Sequence, residues 1–179
     1  LVAWGGQFRL QQEANERFAL VIPITLLVLF LLLFSSFNSI KNAALILLNI
    51  PLALVGGVVG LWLTGQNLSV PASVGFIALF GIALENGMVL VTYLNQLVRE
   101  GMPLDRASVE GACLRVRPVL MTALTTALGL IPLLFSSGTG SEVQRPLATV
   151  VIGGLVTATA LTLVMVPALY KWFAVEVER

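Results

Sequence analysis

Apolar positions along this chain gather into five long runs separated by short polar breaks. The first covers residues 17–37; its core, 18–34, carries one polar residue, Thr25, with Pro23 in the opening turns. The second covers 43–63, with Asn49-Ile50-Pro51 inside it and Trp62 near its end. The third covers about 70–94, the fourth 118–135 and the fifth about 147–173. Each is long enough to cross a bilayer as a helix, because about 20 residues at 1.5 Å rise match the hydrocarbon thickness. The pattern predicts an all-α membrane protein with five transmembrane helices.

The breaks are turn-like: 35–42, 64–69 (TGQNLS) and 136–146 (SSGTGSEVQRP). The polar connection 96–117 is longer. Pro103 suits a helix start, and 104–114 is expected as a short helix along the membrane surface. Two readings stand for residues 1–16 (LVAWGGQFRLQQEANE): the end of an upstream soluble domain, or a lead-in helix. The chain opens on Leu1, without Met and without a signal-peptide pattern, and is expected to be a piece of a longer protein. Gly56 and Gly60 in the second run, and Gly153, Gly154, Thr157 and Ala158 in the fifth, make small-xxx-small pairs that let helices approach closely.

Composition agrees with the pattern. Apolar residues make up 58% of the 179, charged residues 11%, where a soluble domain has about 25% charged. A net charge of +1 gives no sign of a nucleic-acid partner. Histidine is absent and Cys113 is the one cysteine, so an internal disulfide and a His/Cys metal cage are excluded. Met88, Met102, Met121 and Met165 sit at no metal-binding spacing and read as apolar filling. No nucleotide loop, Ser–His pairing or pair of intramembrane acids supports an enzyme, a catalytic site or a cofactor. Basic residues choose an orientation. Lys41, Arg99, Arg106, Arg115, Arg117, Lys171 and Arg179 fall on one side, and Arg9, Arg17 and Arg145 on the other. The positive-inside rule places the first side, with the connection 96–117 and the tail 174–179, in the cytoplasm.

One ionisable residue breaks the third run. Glu85, followed by Asn86, lies about 22 Å from Val70 and about 18 Å from Leu97 along a helix, near mid-membrane. Ionisable groups at that depth are costly and point to function. Ala78, Gly81, Glu85 and Thr92 share a face of small and polar residues, as an interior or wetted face would. Glu85 is either a group that exchanges protons or a permanently neutral carboxyl used in packing. Asn86 fits a structural or a relay-supporting role equally. Arg115 and Thr122, two turns apart on the fourth helix, open two readings: threonines bonded back to their own helix, or a wet stripe facing Glu85 with Arg115 at its mouth.

Three stretches resemble a known family: GIALENGMVLVTYLNQLVREG at 81–101, RVRPVLMTAL at 115–124 and SSGTGSEVQRPLATVVIGGL at 136–155. With AWGGQF at 3–8, they are similar to the C-terminal membrane half of a resistance–nodulation–division exporter. The resemblance implies helices eight to twelve of that fold, half of a pseudo-symmetric bundle, with 1–16 as the end of a periplasmic domain. Glutamate at 85, where multidrug members carry lysine, resembles the heavy-metal efflux branch. The resemblance then implies an inner-membrane proton antiporter exporting a metal cation, a homotrimer docked to a periplasmic adaptor and an outer-membrane channel. It implies a proton relay containing Glu85, Asn86, Arg115 and Thr122, with its aspartates on an N-terminal half absent from this sequence. Val119, where copper and silver exporters tend to carry lysine, tilts the expected cargo towards zinc, cobalt, nickel or cadmium. The alternatives are a multidrug or lipid exporter, a protein-translocation accessory of the same superfamily, and a membrane domain with no transport role.

Overall fold

A computed structural model describes residues 6–173, with the side chains of 6–11, 15 and 173 left aside. Residues 1–5, part of the expected periplasmic end, and the tail 174–179 lie outside the described residues. Six helices follow in order: α1 Gly6–Phe37, α2 Ile40–Leu47, α3 Asn49–Leu63, α4 Val70–Arg99, α5 Leu104–Leu134 and α6 Ser141–Phe173. Five stretches are long and apolar enough to cross a membrane: Gln12–Phe37, Ile40–Leu63, Val70–Arg99, Leu104–Leu134 and Ser141–Trp172. The protein is an all-α membrane protein, as the five apolar runs predict.

Polar side chains and glycines set the helix ends. Ser39 caps α2 by accepting from the Asn42 N–H, and Ser69 caps α4 by accepting from the Ala72 N–H, both at 3.4 Å. The turns after α3 and α4 are Schellman turns. At Gly65 (φ 65) the Gln66 N–H reaches back to the Leu61 carbonyl, and at Gly101 (φ 91) the Met102 N–H reaches the Leu97 carbonyl.

The helices depart from the sequence reading in three places. The second span is two helices, α2 and α3, joined at Leu48. Pro51 has no N–H to give the Leu47 carbonyl, so the ladder weakens at that turn. In contrast, α5 runs unbroken from Leu104 through Pro118 to Leu134. The polar stretch 104–117 is thus continuous with the fourth span, where a separate surface helix was expected, and the connection after α4 is a tight turn. Nothing in helix geometry requires a break where side chains change from polar to apolar. Likewise α6 begins at Ser141, a turn and a half before the expected 147.

Helices α4 and α6 form the centre. Within their most apolar windows 56% and 50% of residues are buried, against 6% for α1 and for α5. One core cluster joins Leu45 and Ile46 of α2, Leu90 and Leu94 of α4, and Val166 and Tyr170 of α6. A second joins Ala53 and Leu61 of α3, Phe76 and Leu79 of α4, and Val150 and Ala158 of α6. The α3–α6 contact is set by glycine: a Cβ on Gly56 would fall 2.6 Å from the Gly153 carbonyl oxygen, and one on Gly153 2.7 Å from that of Gly56. The helices meet backbone to backbone, as the small-xxx-small pairs predict. Trp62 and Trp172 stay exposed near opposite ends of the bundle, where aromatic residues anchor membrane helices.

Candidate functional site

The middle of α4 sends its two polar neighbours in different directions, because successive helical residues are about 100° apart. Glu85 is exposed and lines an open groove of about 350 Å3 between α1 and α4. The other walls are Leu29, Leu32, Leu33 and Ser36 of α1 and Gly81, Leu84 and Met88 of α4. No hydrogen bond or ion pair reaches Glu85 among the described residues. Ala78, Gly81 and Thr92, placed with it on one face by spacing, are exposed too. A Cβ on Gly81 would meet nothing within 4 Å among the described residues. The face that carries the acid is therefore the face that these helices leave uncovered.

Asn86 points inward. It is 7% exposed, and its Nδ2 has no hydrogen-bond partner among the described residues. The next residue, Gly87, makes room for α3: a Cβ there would lie 2.6 Å from Asn49 Nδ2. Asn49 is itself buried and accepts on Oδ1 from the Thr162 hydroxyl of α6 at 3.2 Å. Two carboxamides on α3 and α4 and a hydroxyl on α6 thus lie in the apolar interior beside the Glu85 turn.

Arg115 and Thr122 are not brought to Glu85 by these helices. The Arg115 guanidinium lies over the Tyr93 ring of α4, 4.3 Å from its centroid, a cation–π contact. Tyr93 is about 12 Å along α4 from Glu85. Thr122 is exposed, and its hydroxyl donates to the Val119 carbonyl at 2.9 Å and the Pro118 carbonyl at 3.3 Å. This is the back-bonding of a threonine hydroxyl to carbonyls three and four residues earlier on its own helix.

Three polar links went unread in the sequence: Asn49 with Thr162, Asn95 with Tyr170 (hydroxyl to Oδ1, 2.6 Å) and Gln66 with Thr149 (Nε2 to Oγ1, 3.1 Å). Asparagines inside apolar runs were the available signal. Their partners lie 75 to 113 residues away for the first two pairs, beyond any local spacing rule. Among the described residues, no three His, Cys, Asp or Glu side chains converge as a metal site would.

Known proteins share this arrangement of helices. The chain matches the AcrB/AcrD/AcrF family over residues 1–174. It is 51% identical over 170 residues to the cobalt-zinc-cadmium resistance protein CzcA of Cupriavidus metallidurans, covering 95% of this chain and 16% of that one. It is 53% identical over 173 residues to the protein HelA of Legionella pneumophila, covering 96% and 16%. A crystal structure of a heavy metal efflux pump superposes with a TM-score of 0.86 at 51% identity, over 94% of this chain and 17% of the pump. The chain thus spans about a sixth of the length of the relatives it matches.

Proposed function

Because this chain belongs to the AcrB/AcrD/AcrF family, as part of a resistance–nodulation–division heavy-metal efflux transporter, we propose that it is the membrane portion through which protons drive cation export. Glu85 is the group that gains and loses a proton. The observation that carries this reading is its setting: an acid in the middle of an apolar helix, facing an open groove, with no partner among the described residues. A carboxyl used for packing within this bundle would be buried and hydrogen-bonded by its neighbours. Asn86, buried with a free amide N–H, adjoins the acid, and Arg115, held on Tyr93 two turns further along α4, belongs to the same proposed relay. Thr122 belongs to the same proposed relay on the next helix. The uncovered face of α4 takes the remaining relay groups, which belong to the part of the protein outside this sequence.

In the proposed cycle, a proton entering from the periplasm neutralises Glu85 and removes the cost of bringing an uncovered charge against apolar helices. That free-energy difference biases a rigid shift of α4, with the helices packed on it, and release of the proton reverses it. The proposed assembly is a homotrimer in the bacterial inner membrane, joined to a periplasmic adaptor and an outer-membrane channel. Its tail is cytoplasmic. The name of CzcA and the Val119 position together favour zinc, cobalt or cadmium, with nickel beside them, as cargo.

The test is Glu85→Gln and Glu85→Asp in the full-length transporter, expressed in cells lacking other exporters. Resistance to zinc, cobalt, nickel, cadmium, copper and silver is measured at matched protein level. Loss of resistance in the glutamine variant, with partial retention in the aspartate variant, is expected. Unchanged resistance in Glu85→Gln removes the relay role, and loss of the folded protein in both variants assigns the carboxyl to packing.

A further inference from the structure

A second polar feature lies at one end of the bundle, away from Glu85. Between the α1–α2 corner and the last turns of α4 is an open cleft of about 760 Å3. Asn38 makes the corner. It takes a left-handed backbone (φ 47) and its N–H closes α1 on the Phe34 carbonyl at 2.8 Å, after which Ser39 caps α2. Asn42 stands on the α2 wall, and Asn95, Gln96 and Arg99 on the α4 wall.

What these groups have left to offer can be counted. Asn95 accepts the Tyr170 hydroxyl on Oδ1, which orients its amide and leaves Nδ2 as a donor. Gln96 spends its Nε2 on Glu100 at 2.9 Å. Arg99 is exposed, and no acceptor reaches its guanidinium among the described residues. It sits one turn beyond Asn95, so guanidinium and oriented amide share a face. Asn42, 4% exposed, lines the cleft with its Oδ1 unpartnered. The cleft thus presents one full positive charge and one oriented amide donor, beside the unpartnered Asn42 amide oxygen. Its complement is a monoanion with several acceptor oxygens.

Position decides the source. The cleft opens past Ser36 and Phe37 onto α1, whose adjoining turns expose Leu31, Leu32 and Phe34. An anion seated here has hydrocarbon-compatible surface beside it, and the cleft lies at the depth where helix ends meet headgroups. We propose that this cleft binds the phosphodiester of a membrane glycerophospholipid, with Arg99 as its charge partner and Asn95 Nδ2 as its oriented donor, the acyl chains leaving along α1. The proposal rests on the five helices lying in a bilayer and not on the proton-relay reading.

The test uses the full-length transporter, delipidated, with phosphatidylglycerol or phosphatidylethanolamine returned and bound lipid counted by native mass spectrometry. Arg99→Gln is expected to weaken the tightest phospholipid site by about tenfold, the loss of one charge-assisted hydrogen bond. Asn95→Asp keeps an acceptor for Tyr170 but turns a donor into an anion, and should weaken the site as much or more. Arg99→Lys should stay near the parent protein, and Glu85→Gln should leave lipid binding unchanged. Parental affinity in folded Asn95→Asp and Arg99→Gln overturns the proposal. If Arg99→Gln does not fold, Asn95→Asp against Arg99→Lys decides the matter on the same readout. Displacement of the lipid by millimolar inorganic phosphate overturns the lipid assignment in favour of a free-phosphate site, and persistence of the lipid supports it.

Discussion

Replacing Gly153 by alanine puts a single methyl group into the α3–α6 crossing, and the structure sets what that costs. The new Cβ would lie 2.7 Å from the Gly56 carbonyl oxygen and 3.2 Å from the Gly60 Cα, whereas ordinary contact begins at 3.4 Å. Both obstacles are backbone, so no side-chain rotation relieves them. The helices must separate by about 0.7 Å, and a gap of that size forfeits a quarter to a half of the dispersion energy of each pair along the seam. Overpacking of this kind costs about 1–3 kcal/mol, against which the better helix propensity of alanine returns up to about 1 kcal/mol. Net destabilisation of up to about 2 kcal/mol is expected. The control is Gly129→Ala on α5, where a Cβ meets nothing within 4 Å among the described residues; there the propensity gain is expected to stand alone and stability to rise or hold. Both variants of the full-length protein would be unfolded reversibly in mixed detergent micelles beside the parent. Equal stability of Gly153→Ala and Gly129→Ala would refute the claim that backbone contact sets the α3–α6 distance.

Two further outcomes follow from the interior and from the orientation. Asn49→Ala removes the acceptor of the fully buried Thr162 hydroxyl and should cost about 1–3 kcal/mol. Adding Thr162→Val should cost less than the sum of the single changes, which a double-mutant cycle in the same unfolding assay reads as coupling; strict additivity would deny the bond a role. Cys113 is free and exposed near the basic end of the bundle, so in a full-length protein stripped of its other cysteines a membrane-impermeant maleimide should label it in inside-out vesicles only. Labelling in right-side-out vesicles would reverse the proposed orientation.

The five apolar runs were legible without any structure, because a bilayer imposes a length and a hydrophobicity on each helix separately. The motifs around Glu85, Arg115 and 136–155 likewise carried the family, which the similarity over residues 1–174 establishes. Glycine pairs at Gly56, Gly60 and Gly153 announced close packing, since only a missing Cβ permits it. These are local properties, read within one or two helical turns.

Only the packed molecule decided which partner each helix takes and which face is left open. The α4 face with Ala78, Gly81, Glu85 and Thr92, read as an interior or wetted face, is left uncovered by these helices, while Asn86, one residue on, is buried. Spacing gives the angle between two residues on a helix, but only the neighbouring helices say what lies in either direction. The same holds for Asn49 with Thr162 and Asn95 with Tyr170, whose pairing depends on how α3, α4 and α6 rotate against one another. The division at Leu48 and the continuity of α5 through Pro118 show it within single helices. A proline removes one hydrogen bond in both places, and the surrounding packing determines whether the helix breaks or runs on.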